Sequence, residues 1–164
     1  MTKFIFGRKS NAFSKKKRSC YIKAYDTAFS QYIKTRDCLM TSGSTRYGFC
    51  ITCGGSCSRV YDESIDPKRC GTNGHYIARA NMFLRYDLRN NNLQCRYCND
   101  FLQNAGWVKE AYREALDKKW GAGTAQLLED SRFIMTKLSR TEMEEKTEYY
   151  KEEIAILFKQ FGEM

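Results

Sequence analysis

The chain has 164 residues, of which 42% are hydrophobic and 14% aromatic, a composition that favours one folded domain and argues against wholesale disorder. A net charge of +9 predicts a polyanionic partner, with nucleic acid the first choice and an acidic membrane surface the second. The sequence has no apolar run of bilayer-spanning length and no hydrophobic signal core. We therefore expect a cytoplasmic protein whose eight cysteines are metal ligands and buried thiols rather than disulfides.

Residues 1–19 are predicted to be a basic, flexible N-terminal arm, because they contain no acidic side chain. The arm could be a solvated tail or could lie along DNA phosphates, and the two interpretations are compatible. Its C-terminal basic cluster supplies the candidates for phosphate contact, Lys15, Lys16, Lys17 and Arg18. Residues 20–164 are then predicted to form a single domain.

Four segments have the apolar periodicity of α-helices and are predicted to flank the centre of this domain: residues 21–37, 107–120, 124–137 and 141–161. In the second segment, Trp107 and Val108 are among the side chains expected to face inward. The last segment begins with a capping-box pattern at Thr141 and Glu144. Its heptad spacing predicts packing on its own domain, with a homodimer contact as the less favoured alternative.

Two Cys-x2-Cys pairs enclose the centre of the chain. Each short turn can direct two sulfurs at one ion, so the pairs predict a structural Zn²⁺ site with four thiolate ligands, Cys50, Cys53, Cys95 and Cys98. Cys57 and Cys70 could replace a ligand or form a second partial site, but such cysteines are more often small buried side chains. Cys20 and Cys38 lack a partner spacing and are expected to be packing residues.

The segment between the two pairs has no long helical periodicity. Its turn clusters, among them residues 90–92, predict a pair of short strands separated by a long irregular loop. The extended segment is expected at residues 75–79, and a helix is expected to start near Cys98.

The chain's one histidine, His75, lies in this segment. A neutral imidazole can take a proton from water, which makes His75 a candidate general base. A hard divalent ion such as Mg²⁺ requires oxygen ligands and stabilises charge on a scissile phosphate, and the side-chain amide of Asn99 could supply one such oxygen.

The order Cys-x2-Cys, His, Asn, Cys-x2-Cys-Asn resembles the zinc-containing HNH (His-Me finger) endonucleases. The resemblance implies an α+β protein in which a zinc-stapled ββα-metal core, residues 50–104, is flanked by α-helices. It also implies metal-dependent DNA hydrolysis with His75 as general base, Asn90 as the residue that orients it, and Asn99 as a ligand to Mg²⁺ or Mn²⁺.

A closer resemblance is to the NinG/Rap recombination nucleases of lambdoid phages, and it covers the chain from about residue 21 onward. It is carried by Cys50-Ile51-Thr52-Cys53-Gly54, Gly74-His75-Tyr76, Leu84-Arg85-Tyr86 and Gln94-Cys95-x2-Cys98-Asn99, and continues through Trp107-Val108 and Tyr112-Arg113. This resemblance implies a structure-specific DNA endonuclease that acts on D-loops and Holliday junctions in the host-cell cytoplasm. The alternatives are an inactive zinc-dependent DNA-binding module and a sequence-specific HNH homing or restriction nuclease.

The sequence departs from these families at two positions where acidic metal ligands are common, Gly74 and Thr72. The metal could then be held by Asn99 and substrate phosphates, or by an acid from elsewhere such as Asp87 or Asp100. Arginines around the histidine are either ordinary surface charge or phosphate clamps; the candidates for DNA contact are Arg79, Arg85 and Arg89, with Arg96 also nearby.

Overall fold

The computed structural model describes residues 17–162, which form a mixed structure of helices and two small antiparallel sheets. The helices are α1 (Arg18–Ser42), α2 (Gly106–Trp120), α3 (Thr124–Asp130) and α4 (Arg140–Phe161). The strands β1 (Tyr47–Phe49) and β2 (Ser56–Ser58) pair as one hairpin, and β3 (Gly71–His75) and β4 (Asn91–Cys95) pair as the second sheet. Short helical turns lie at Pro67–Arg69, Tyr97–Phe101 and Ser131–Phe133. Across residues 17–162, no helix combines the length and apolar character needed to cross a membrane.

Helices α1 and α4 pack on each other through an aromatic stripe. In α1, a buried aromatic or aliphatic side chain recurs every four residues, at Tyr21, Tyr25, Phe29 and Ile33, which places all of them on one helix face. Tyr150 of α4 packs on this face, with its ring centroid 5.0 Å from that of Phe29. The predicted packing of the last helix on its own domain is therefore confirmed.

Several predicted helix boundaries were wrong. The first helix extends beyond residues 21–37 at both ends and stops at Gly43, whose φ of 73° suits glycine and whose N–H donates to the Leu39 carbonyl. The third helix ends at Asp130 rather than residue 137. The capping box is formed by Ser139 and Glu142, two residues earlier than predicted, because the Ser139 hydroxyl reaches the Glu142 amide and the Glu142 carboxylate accepts from the Ser139 amide.

The sheet of β3 and β4 positions the centre of the protein. His75 at the end of β3 lies opposite Asn91, and Gly71 at its start lies opposite Cys95. The extended segment was predicted at residues 75–79, and this was wrong: β3 is formed by Gly71–His75 and ends where that segment was expected to begin. In the cluster at residues 90–92 only Asn90 lies in a turn, because β4 starts at Asn91 and is buried along its whole length. Pairing and burial here override the local preference of Gly and Asn for turns.

A buried carboxylate connects this sheet to α1 and α2. Asp37 of α1 accepts hydrogen bonds from the Leu93 backbone amide (2.7 Å) and from Lys119 Nζ (2.8 Å). The Lys119 ammonium also donates to Asn92 Oδ1 (2.8 Å). The ion pair is stabilising only because its groups are hydrogen-bonded as well as opposite in charge, and it fixes β4 between the two helices.

The inward face of α2 includes Tyr112, which was not predicted, and excludes Trp107, which was. Val108, Tyr112 and Leu116 are buried at spacings of four residues, whereas Trp107 is 52% exposed. Residue 107 lies about 100° around the helix from residue 108 and therefore faces outward. The Tyr112 hydroxyl donates to the Gly74 carbonyl at 2.9 Å, so this helix also contacts β3.

Candidate metal centre and histidine cleft

Four cysteine thiols converge at one point. Cys50 and Cys53 lie in the turn between β1 and β2, and Cys95 and Cys98 lie at the end of β4 and in the turn that follows it. Their sulfur atoms all lie within 4.8 Å of one another, and the Sγ atoms of Cys53 and Cys95 are 3.8 Å apart. A tetrahedral zinc site with bonds of about 2.3 Å separates its sulfurs by about 3.8 Å. The four cysteines could therefore hold one Zn²⁺ ion with little rearrangement.

The local backbone explains this convergence. The Gly54 amide donates to the Cys50 carbonyl (2.9 Å) and closes the first turn, while the Ile51 amide donates to the Leu93 carbonyl (2.9 Å) and fixes that turn beside β4. Burial, together with the neighbouring Cys50, raises the pKa of the Cys98 thiol, because a thiolate there would be desolvated and repelled. A bound cation would have the opposite effect: it would lower the pKa of the thiols and favour thiolate ligands.

The other four cysteines do not belong to this group. Cys57 and Cys70 are buried, as is Cys38, and Cys38 and Cys57 pack beside the four thiols as small apolar side chains. Cys20 is exposed near the start of α1, so the prediction that it is a packing residue was wrong. It lines a shallow groove between α1 and α4, together with Lys151 and Ile154.

His75 lines a cleft of about 320 Å³ between α1 and β3. The cleft is bounded by Asp26 and Ser30 of α1, by Arg79 and Arg85 from the segment after β3, and by Asn99 from the turn after Cys98. His75 and Asn99 also line a second cleft, of about 240 Å³, on the side of α2. The fold thus brings His75 and Asn99, two of the predicted catalytic residues, to the same two cavities, although they belong to different elements.

The cleft holds its histidine in the neutral state. Burial lowers the pKa of His75 to about 4, and the positive charges of Arg79 and Arg85 act in the same direction. A hydrogen bond with the Asn73 backbone and the carboxylate of Asp26 oppose this shift without cancelling it. At physiological pH the imidazole can therefore accept a proton.

Asn90 is completely buried beneath the segment that follows His75. Its Oδ1 accepts from the Ile77 amide (2.7 Å), and its Nδ2 donates to the carbonyls of Ile77 (3.1 Å) and Leu84 (2.9 Å). The described hydrogen bonds of Asn90 thus fix the backbone beside His75 rather than the imidazole ring. Any orienting effect on His75 acts through that backbone.

Asn99 sits in the helical turn Tyr97–Phe101, where its Nδ2 donates to Asp100 Oδ1 (3.0 Å). This bond uses the amide nitrogen and leaves the amide oxygen as the atom that could bind a metal ion. The two acids that the sequence offered as extra ligands form ion pairs elsewhere: Asp100 accepts from Arg96 (3.1 Å) and Asp87 from Arg89 (2.7 Å). Neither acid lines the cleft that His75 and Asn99 share with α1.

The acid that does line this cleft is Asp26, which the sequence did not reveal. It accepts from Arg85 Nε (2.8 Å), from a second Arg85 nitrogen and from the Tyr86 hydroxyl (2.9 Å). Burial raises its pKa, but these partners outweigh burial and hold the pKa below its usual range. Asp26 and Arg85 are distant in sequence, and no spacing pattern could have paired them.

The predicted DNA-binding residues are not equivalent. Arg79 is exposed at the cleft, whereas Arg85 is held by Asp26 and Arg89 by Asp87. Lys17 and Arg18 are exposed at the start of α1, and Lys15 and Lys16 lie outside the described residues. Of the predicted residues, Arg79 is therefore the one most available for a phosphate within the cleft, which Lys34 of α1 also lines.

Comparison with known proteins places this chain in a family. Residues 7–160 match the sequence model of the family described as bacteriophage lambda NinG protein, which is almost the entire length of the chain. Comparisons with curated proteins and with solved structures gave no significant match. The matched span includes both cysteine pairs, the His75 cleft and all four helices, and the chain therefore belongs to the bacteriophage lambda NinG family.

Proposed function

We propose that this protein is a metal-dependent DNA endonuclease that hydrolyses phosphodiester bonds in branched recombination intermediates. Its membership of the NinG family suggests a role related to phage recombination. The observation that carries the nuclease proposal is the shared cleft, in which a neutral imidazole, a side-chain amide and an exposed guanidinium lie together: His75, Asn99 and Arg79.

In this proposal, His75 is the general base that takes a proton from the attacking water. A pKa of about 4 makes the free imidazole a weak base, but a DNA phosphate in the cleft adds negative charge beside it. That charge offsets Arg79 and Arg85 and raises the basicity of His75 when substrate is bound. The bonds from the Asn90 side chain to the backbone of Ile77 and Leu84 fix the segment that follows His75.

The proposed catalytic cofactor is Mg²⁺ or Mn²⁺, which when bound stabilises charge on the phosphate and on the leaving oxygen. The amide oxygen of Asn99 is the ligand that this chain offers most directly, with substrate phosphate oxygens completing the set. Asp26 lies in the same cleft but its carboxylate is held by Arg85 and Tyr86. We assign Asp26 to positioning Arg85, and we assign Arg79 to contact with the phosphate.

A second candidate function, a zinc-dependent DNA-binding module without nuclease activity, is favoured by one observation. Gly74 occupies the position before His75 where many related nucleases have an acidic ligand, and a side chain there would collide with Gln94. If no other group replaces that ligand, the cleft would bind DNA without cutting it.

Cleavage assays distinguish the two functions. Linear, flapped, D-loop and four-way DNA are incubated with the protein in Mg²⁺ and in chelator. The nuclease proposal expects cutting of the branched substrates that requires the metal and is lost in His75→Ala. Lys146 is exposed and lines neither cleft, so Lys146→Ala is the matched control and should cut normally. Binding of all four DNAs without cutting, in Mg²⁺ and in Mn²⁺, would establish the DNA-binding module instead.

A further inference from the structure

Three consecutive large apolar side chains are exposed between α3 and α4. The exposed fractions are 75% for Phe133, 46% for Ile134 and 91% for Met135. Single exposed apolar residues are common on protein surfaces, but an uninterrupted run of three this accessible is a feature of interaction sites. We call Phe133, Ile134 and Met135 the apolar tip.

The apolar tip is attached to the segment that carries the cleft arginines. Asn81 donates through Nδ2 to the carbonyl of Arg132, the residue before the tip. The Asn81 backbone amide donates to the Ala78 carbonyl (2.9 Å), and the Leu84 amide donates to Asn81 Oδ1 (2.9 Å). Arg79 lies within this tight turn, so one short hydrogen-bonded unit supports both the cleft arginine and the tip.

The charge around the tip indicates what it binds. Residues 131–137 contain Arg132 and Lys137 and no acidic side chain. The Arg132 guanidinium lies 4.6 Å from the centre of the Phe133 ring, a cation–π arrangement that adds positive charge to an aromatic face. Aromatic and apolar side chains bordered by cations are suited to nucleobases, whose faces stack on rings and whose phosphates require positive charge.

We infer that the apolar tip inserts at the branch point of DNA, where Phe133 and Met135 pack on bases that are unpaired or unstacked. This inference rests on the proposed function, because it assumes that branched DNA lies in the His75 cleft. In a continuous duplex every base is already stacked on its neighbours, so insertion there costs unstacking energy. At a junction that cost is lower, and the tip therefore determines preference for branched over linear DNA.

The test uses the double variant Phe133→Ala/Met135→Ala in the full chain, with His75→Ala added so that cleavage does not consume the substrate. Tyr61→Ala, an aromatic side chain that is 62% exposed, is the matched control. Affinity is measured for a four-way junction and for a linear duplex of the same sequence. The junction carries 2-aminopurine at the branch point, whose fluorescence reports base stacking without any need for cutting.

We expect the tip variant to bind the junction about 10-fold more weakly, and to bind the linear duplex less than about 2-fold more weakly. At saturation, the tip variant should no longer change the fluorescence of 2-aminopurine in the junction. Tyr61→Ala should leave all three unchanged. The inference would be overturned if the tip variant lost equal affinity for both DNAs or kept the fluorescence change of its His75→Ala parent. It would also be overturned if that parent bound neither DNA. A tip variant that changes only the sedimentation state would show that the tip binds a second copy, which also overturns it. None of these readouts requires cleavage, so an inactive nuclease site would leave the result interpretable.

Discussion

Gln94 lies in the space that a side chain on residue 74 would need. A Cβ atom built on Gly74 would approach Gln94 Oε1 and lie 2.8 Å from Gln94 Cβ. Gln94 is itself fixed, since it is 3% exposed and its Nε2 donates to the Thr52 hydroxyl at 2.7 Å. The glycine before the histidine and the glutamine on β4 are thus complementary, and an acid at position 74 requires a change at position 94.

Gly74→Asp should therefore lower the free energy of unfolding by about 1–3 kcal/mol, the usual cost of overpacking a filled site. Adding Gln94→Ala should recover part of this loss by opening the space. Urea unfolding of the two variants measures both values. Gly106→Asp is the control, because a Cβ on Gly106 meets no atom within 4 Å. A Gly74→Asp variant as stable as the parent would show that Gln94 yields without cost.

The parts of this site that could be predicted from sequence are those set by local spacing. The Cys-x2-Cys turns determine by themselves where their sulfurs point, and a stripe with the period of a helix determines which face of α1 is buried. For this reason the four-thiol group and the packing of α4 on its own domain agree with expectation.

The parts that could not be predicted depend on partners distant in the chain. Asp26 is one acid on a helix until the fold places it against Arg85, and no local pattern marks it. The amides of Asn91 and Asn92 are fully buried because they bond to groups on other segments, including Lys119 and the Asp87 carbonyl. In the sequence the same residues have only the turn preference of asparagine, and this is why the first two residues of β4 were predicted to lie in a turn.

The four-thiol group predicts a protein that holds about one zinc ion and requires it to fold. Cys95→Ser should lose the metal and lower the melting temperature strongly, because Cys95 is fully buried and joins β4 to the metal centre. Metal analysis and thermal unfolding measure the two effects. Cys20→Ser is the control and should be nearly silent, since Cys20 is exposed. Full zinc content and a normal melting curve in Cys95→Ser would contradict the assignment of Cys95 as a ligand.

The environment of His75 predicts an unusual titration. The folded protein should keep its imidazole neutral down to a pH near 4, whereas the unfolded chain should titrate near 6.5. Between these values the unfolded chain binds more protons, so acidification from about pH 6.5 to about pH 4 should lower stability. Because the chain has one histidine, its imidazole NMR signals report His75 without assignment.

Arg79→Ala should raise the pKa of His75, since the charge of Arg79 is one of the causes that lower it. Lys146→Ala should leave the titration unchanged, because Lys146 is exposed and is not among the groups that shift the pKa of His75. A His75 midpoint near 6.5 in the folded parent would show that the cleft admits more water than its burial indicates.

Substitution of His75 and of Asn99 should affect the proposed cleavage in different ways. His75→Ala should reduce the rate by ~10²–10⁴-fold, the usual contribution of a general base, and should leave DNA affinity nearly unchanged. Asn99→Ala should instead weaken the binding of the metal ion, so that raising the Mg²⁺ concentration recovers part of the rate. Single-turnover cleavage across a Mg²⁺ series separates these outcomes. Cutting at the parental rate by His75→Ala would move the nuclease site elsewhere.

The basic N-terminal arm should contribute phosphate contacts rather than substrate choice. Its residues contain no acid and no groove-reading pattern, and the exposed Lys17 and Arg18 place its end at the start of α1. Each phosphate contact that is lost reduces the slope of log K against log salt by ~0.9 on duplex DNA. Residues 1–16 include Lys15 and Lys16. If the arm lies along the DNA backbone, removal of these residues should reduce the slope of log K against log salt by several times ~0.9. Affinity should fall alike for a four-way junction and a linear duplex, because phosphates carry no information about sequence. An unchanged slope would make the arm a solvated tail, and a loss confined to the junction would mean that the arm, rather than the apolar tip, recognises the branch.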